Sequence, residues 1–278
     1  MKQRRMDRAA LDGIELEYAL QGVGEPVVLI HPGHFADWFM PLLDEPALTE
    51  RYRLLAYHRV GCAGSSPIVG STSFAQQARH CRLLMRHLGI ERAHIVGHSS
   101  SGLLALQLAL DIPDAVHTLA LLEPALLTML SAEVPGLSLE TVFQLYQAGD
   151  KAGAIDAFLR VVCGPRYRAV LDRAIPGAFE QHVADADTFF IHEVPAVGQW
   201  RFTREDALRV TQPVLMAIGA KNDQAFVDYI HELLLSWLPN AESFVLPDAT
   251  HLMQVENPRS MAEGLAAFFA RHPLVAAC

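Results

Sequence analysis

What most constrains this chain is an alternation. Short, mostly apolar runs at residues 26–30, 53–57, 93–96, 117–122, 213–218 and 243–246 are separated by longer stretches with an apolar residue every three or four positions. Runs of that length read as strands, and continuous rather than alternating hydrophobicity marks strands covered on both faces. The stretches at 37–50, 74–88, 101–110 and 225–237, and a last one opening at Pro258 behind Asn257, read as helices. Strands alternating with helices build a mostly parallel central sheet with helices on both faces, so the predicted fold class is α/β. At the start, the Asp12-Gly13 turn between a short first strand and residues 14–21 predicts an antiparallel entry into that sheet.

The alternation breaks off between residues 123 and 209, where helix-like segments at 139–148, 152–162 and 178–192 are accompanied by no convincing strand. The expected organisation is one core in two pieces, 1–124 and 209–278, interrupted after the sixth strand by a helical cap at 125–208. With 51% hydrophobic and 19% charged residues the chain has ample material for a core. Its 31 acidic against 22 basic side chains, a formal charge of −9, count against a nucleic-acid partner. No apolar run approaches the roughly 20 residues of a membrane-spanning helix. The basic N-terminus has no apolar segment behind it, which predicts no export signal and a cytoplasmic protein. Cys62, Cys81, Cys163 and Cys278 form no C-x-x-C, so neither a zinc site nor a disulfide framework is expected. The sequence sets no oligomeric state.

The segment Ile95-Val96-Gly97-His98-Ser99-Ser100-Ser101-Gly102 joins a buried strand to a helix through a turn of small residues. It resembles the G-x-S-x-G nucleophile elbow of the α/β-hydrolase superfamily, with Ser99 as the exposed serine and Ser101, followed by Gly102, in place of the second glycine. Two further segments fall where that fold requires them. His31-Pro32-Gly33-His34, after the strand at 27–30, is similar to the family's H-G oxyanion loop with Pro32 replacing the first glycine. Asp248-Ala249-Thr250-His251, after the last strand, is similar to its catalytic-histidine loop. The segment from Tyr57 to Ser65 matches the loop after the fourth strand, with His58 in place of the usual aspartate and a structural role expected for His58 and Arg59.

The resemblance implies a Ser99–acid–His251 triad and an oxyanion hole from the N–H groups of Ser100 and Gly33, with His34 as an alternative donor because Pro32 has none. For the acid, Asp223 follows the strand ending near Ile218 and is the expected residue, one position beyond the common glycine-plus-three spacing, where Asn222 stands. Glu123, at the end of the preceding strand, is the alternative. The implied chemistry is hydrolysis of an ester-like bond, a carboxylic ester or lactone, of a small, largely apolar substrate through an acyl-enzyme, with no metal or organic cofactor. Serine rather than aspartate at the elbow disfavours dehalogenase and epoxide hydrolase chemistry. A cofactor-free perhydrolase or haloperoxidase and a C–C bond hydrolase remain open on the same triad, and a non-enzymatic ligand sensor is a further alternative. Candidate walls of the substrate pocket are His34, Phe143, Phe190 and Trp200, with Tyr146, Phe158 and Phe189. His182, Asp185, Asp187, His192 and Glu193 are expected on a solvated helix face.

Overall fold

A computed structural model describes residues 5–131, 134 and 136–274; Cys278 lies outside the described residues. Eight strands form one sheet in the order β1-β2-β4-β3-β5-β6-β7-β8. They are β1 (Asp7–Leu11), β2 (Ile14–Gln21), β3 (Glu25–Ile30), β4 (Tyr52–Tyr57), β5 (Ala93–His98), β6 (Val116–Leu122), β7 (Val214–Gly219) and β8 (Ala241–Leu246). Strand β2 runs antiparallel to β1 and β4, and every other pairing is parallel. The entry turn has positive φ at both Asp12 (40°) and Gly13 (84°), the backbone that a two-residue hairpin of the usual twist demands.

Successive side chains of a strand leave opposite faces of the sheet. Val27 and Leu29 of β3 accordingly join one hydrophobic cluster and Val28 and Ile30 the other. Helices α2 (Phe74–His87), α3 (Ser100–Asp111) and α10 (Ala225–Trp237) cover the second face, while α11 (Pro258–Arg271) covers the first together with α1 (Pro46–Thr49). Where a helix was expected over 37–50 there are only turns, a 3-10 segment Met40–Asp44 and the single turn α1. Pro41 and Pro46 each remove a backbone donor and enforce that break.

Between β6 and β7 the described residues form six α-helices: α4 (Glu140–Gln147), α5 (Lys151–Cys163), α6 (Tyr167–Ala174), α7 (Ala178–Ala184), α8 (Val194–Gln199) and α9 (Arg204–Arg209). The helix expected over 178–192 is interrupted after α7 and resumes as a π-helical turn, Thr188–Glu193. Contacts with the loop after β4 hold this break: the Asp185 carboxylate accepts the Ala63 N–H at 3.0 Å, and the Thr188 hydroxyl donates to the Gly61 carbonyl at 2.5 Å. No helix of the described residues is long and apolar enough to cross a membrane.

Candidate active site

All six residues of β5 are buried, and the strand turns into α3 with almost no loop. Ser99, at the turn, has φ 52° and ψ −122°, a conformation that costs a non-glycine residue about 1–3 kcal/mol. Backbone bonds hold it there: its N–H donates to the Leu122 carbonyl at 2.9 Å, and its carbonyl accepts from Gly102 at 3.0 Å and Ala125 at 3.1 Å. Gly97 is required because a Cβ there would run into the Ser101 carbonyl, and one on Gly102 would lie 2.7 Å from Pro124. Serine at 101 has its own use. Its hydroxyl accepts the His98 N–H at 2.8 Å and donates to the Ile30 carbonyl, tying the turn to the end of β3.

His251 follows β8 and its Nδ1 lies 2.6 Å from Glu123 Oε2. The expected pairing with Asp223 is therefore corrected. Glu123 sits at the end of β6 with φ 42°, and its side chain is wholly buried. Oε1 accepts the Gly219 N–H at 2.8 Å, and Oε2 accepts from the Asn222 amide at 2.6 Å as well as from His251. Asn222 occupies the glycine-plus-three position at the end of β7, so the place where a carboxylate was looked for instead holds the carboxylate of the neighbouring strand. Asp223, one residue further, is exposed and lines an adjoining cleft of about 320 Å³ with Lys221, Thr250 and His251, but makes no hydrogen bond to the His251 ring, whose Nδ1 is taken by Glu123.

Ser99, Glu123 and His251 share a cavity of about 220 Å³ with Gly33 and Ser100. Ser100, as the first residue of α3, carries an N–H without an intrahelical acceptor. The Gly33 N–H donates to the Ser100 hydroxyl at 2.9 Å, so a substrate oxygen would have to displace that hydroxyl to reach it. His34, the alternative donor and candidate pocket wall, does not line the cavity. Its ring is enclosed by Phe35, Phe189 and His182, at centroid distances of 4.3, 4.4 and 5.3 Å. Burial pushes both His34 and His182 well down, His182 to about 3. His31 braces the loop: its Nε2 accepts the Arg59 N–H at 2.9 Å, the role of a neutral ring, and burial lowers its pKa accordingly.

Two aromatic residues missed from sequence, Phe35 and Trp38, line the cavity, and so does His98. The Trp38 indole N–H donates to His98 Nδ1 at 2.5 Å, and the His98 ring lies 4.6 Å from that of His251. Burial, followed by the proximity of His251, pushes the His98 pKa well down, so this second imidazole is uncharged at neutral pH.

The helical insertion supplies much of the remaining wall, including Leu137, Leu139, Phe158, Phe189, Val194 and Val197. Four of the aromatics singled out from sequence, Phe143, Tyr146, Phe190 and Trp200, lie elsewhere. Trp200 donates to Gln107 at 2.7 Å and stacks on Phe202, and Phe190 stacks on Tyr146 with Phe143 at its edge. Glu193, expected on a solvated face, is 2% exposed and lines the cavity; its carboxylate lies 3.0 Å from the buried guanidinium of Arg59. Among the described residues no group of three His, Cys, Asp or Glu side chains is placed to hold a metal ion.

The profile of the alpha/beta hydrolase family matches residues 27–263, from β3 through the insertion and β8 into α11. The chain belongs to the alpha/beta hydrolase family. Over 116 residues it is 39% identical to the dihydrolipoyllysine-residue acetyltransferase component of the acetoin cleaving system of Cupriavidus necator, covering 42% of this chain and 31% of that one. It thus spans about a third of that relative. The RutD protein of Azorhizobium caulinodans, provisionally named a carbamate hydrolase, is 24% identical over 91% of this chain and 94% of its own. In fold, the chain is similar to the enol-lactonase of Burkholderia xenovorans LB400, with a TM-score of 0.76, 20% identity, and coverage of 95% of this chain and all of that one.

Proposed function

We propose that this alpha/beta hydrolase is a serine hydrolase that cleaves an ester-like bond, a carboxylic ester or a lactone, of a small, largely apolar substrate through an acyl-enzyme on Ser99. The observation that carries this reading is the 2.6 Å contact between His251 Nδ1 and the buried Glu123 carboxylate, at the cavity that Ser99 also lines. An ionised carboxylate only accepts hydrogen bonds, so it fixes the proton on Nδ1 and leaves Nε2 as the basic nitrogen.

In the forward step the Ser99 Oγ–acyl carbon bond forms while the serine proton passes to His251 Nε2. The oxyanion is held by the Ser100 N–H and, once the Ser100 hydroxyl has turned aside, by the Gly33 N–H. Collapse breaks the bond to the leaving oxygen, which takes the proton from Nε2. Water then repeats the sequence on the acyl-enzyme and restores Ser99. Glu123 stabilises the imidazolium each time it forms. The insertion acts as a lid, and its apolar side chains select the organic portion of the substrate. Relatives named as a lactonase and a carbamate hydrolase fit this reading of the bond cleaved.

The test is Ser99→Ala with an activated aryl ester, together with fluorophosphonate labelling of the unaltered protein. A fall of about four to six orders of magnitude in kcat is expected, as for loss of a triad serine elsewhere, with the label on Ser99. Labelling at Ser100 or Ser101, or retained turnover in the variant, would overturn the assignment.

A further inference from the structure

Glu193 is the one acidic side chain besides Glu123 that lines the cavity among the described residues, and it is 2% exposed. It comes from the end of the π-helical turn Thr188–Glu193 and meets Arg59 of the loop after β4, itself 3% exposed. The two form an ion pair, 3.0 Å between Arg59 Nη2 and Glu193 Oε1, without making a well-formed hydrogen bond. That guanidinium nitrogen instead donates to the Gly33 carbonyl at 2.6 Å. Oε1 of the Glu193 carboxylate is therefore buried without a hydrogen-bond partner among the described residues, although such buried acceptors are nearly always satisfied. The side chains of Val194, Val197, Phe158 and Phe189, which line the same cavity, offer no donor.

We propose that Glu193 is a specificity-determining residue that accepts a hydrogen bond from a neutral N–H or O–H donor on the substrate, so that the preferred substrate is an apolar ester or lactone carrying an amide or hydroxyl group away from the scissile bond. This rests on the ester-hydrolase reading above. The donor is neutral because Arg59 already balances the carboxylate: an added cation would leave the enclosed site with an uncompensated positive charge, whose desolvation is expensive. Arg59 in turn holds the carboxylate in place and links it to the carbonyl of Gly33.

The experiment uses p-nitrophenyl esters of equal chain length that carry a secondary amide at successive positions, each compared with its N-methyl counterpart, with a primary-ammonium analogue and with the plain ester. The readout is the ratio of kcat/KM, so a uniform loss of turnover in a variant cancels. At one position the unaltered enzyme is expected to prefer N–H over N-methyl by about tenfold or more, the worth of a hydrogen bond to a charged acceptor. In Glu193→Leu combined with Arg59→Met, which leaves no unpaired buried charge, the ratio should fall to within about twofold of unity. Glu193→Gln keeps the shape without the charge and should lower it by about three- to tenfold if the double variant does not fold. A ratio below about threefold at every position, a ratio unchanged in the variants, or a preference for the ammonium analogue over the amide would refute the proposal. Turnover of the plain ester without any N–H preference refutes this inference alone, whereas failure to turn over any ester in the series refutes the ester-hydrolase reading.

Discussion

Glu123→Gln and Asp223→Asn form a pair of substitutions whose outcomes the structure separates sharply. Three donors converge on Glu123: the Gly219 N–H, the Asn222 amide and His251 Nδ1. Glutamine has one acceptor oxygen and a donating NH₂, so at least one of the three loses its partner. Whichever way the amide is turned, the charge that stabilises the imidazolium is gone. If the NH₂ faces Nδ1, that nitrogen must become the acceptor, the proton moves to Nε2, and His251 is in the wrong tautomer to take a proton from Ser99. The corresponding amide substitution in another serine hydrolase costs about 10⁴ in kcat, which is about 5.5 kcal/mol of barrier. Glu123→Gln should lose a similar amount, with an added stability cost of about 1–3 kcal/mol for the donor left unpaired in a buried site. Asp223 is exposed, and its amide should leave kcat within about threefold. Steady-state kinetics with an aryl ester, alongside urea denaturation, measures both. Collapse in Asp223→Asn with near-normal turnover in Glu123→Gln would refute the reasoning.

Asn222→Ala removes one of the donors that orient Glu123, and kcat should fall about tenfold with KM little changed, which stopped-flow and steady-state assays on one ester resolve. Phe158→Ala widens the cavity from the insertion side; the acyl length giving the highest kcat/KM should increase by about two carbons, since each buried methylene is worth about 0.8 kcal/mol. Burial alone would lower His58, but hydrogen bonds and charges from Asp37 and Glu17 outweigh it and hold its pKa above the ordinary 6.5. Its contribution to stability is thus complete below that ordinary value and lost as the pH rises through the raised one. The urea midpoint should decline as the pH rises above the ordinary histidine value more steeply in the unaltered protein than in His58→Gln.

The sheet was legible in the sequence because its strands are covered on both faces. Runs such as Val27-Val28-Leu29-Ile30 leave no polar position at which a different strand boundary could be drawn. The helical character of the insertion was legible, but neither the number of its helices nor their continuity was: three segments were expected and six helices are present among the described residues. Nothing local to residues 178–192 announces that Asp185 will spend its carboxylate on the Ala63 N–H, or that Thr188 will reach the Gly61 carbonyl, since both partners come from a loop more than a hundred positions away. Aromatic residues misled for a related reason. Phe158 and Trp200 are equally plausible pocket walls by type, yet the indole N–H of Trp200 needs an acceptor, finds it in Gln107, and is drawn away from the cavity.

The acid shows where the reading of the site ran out. Two carboxylates at the ends of adjacent strands border the same crevice, and sequence position favoured Asp223. What decides between them is the direction each side chain takes, and this depends on backbone that the sequence does not display. The positive φ of Glu123 belongs to a β6 terminus whose N–H is held by the Ala217 carbonyl of β7. From there the carboxylate meets the Gly219 N–H of the same neighbouring strand and, beside it, the Asn222 amide. A signal was nevertheless present: an amide in the glycine-plus-three position can donate to a carboxylate but cannot replace one. Asn222 therefore makes more sense as the holder of an acid supplied by another strand than as a vacancy filled one residue later. By the same logic, Arg59 in a loop where a structural role was expected called for a buried anion, and Glu193 is the carboxylate that the fold brings to it.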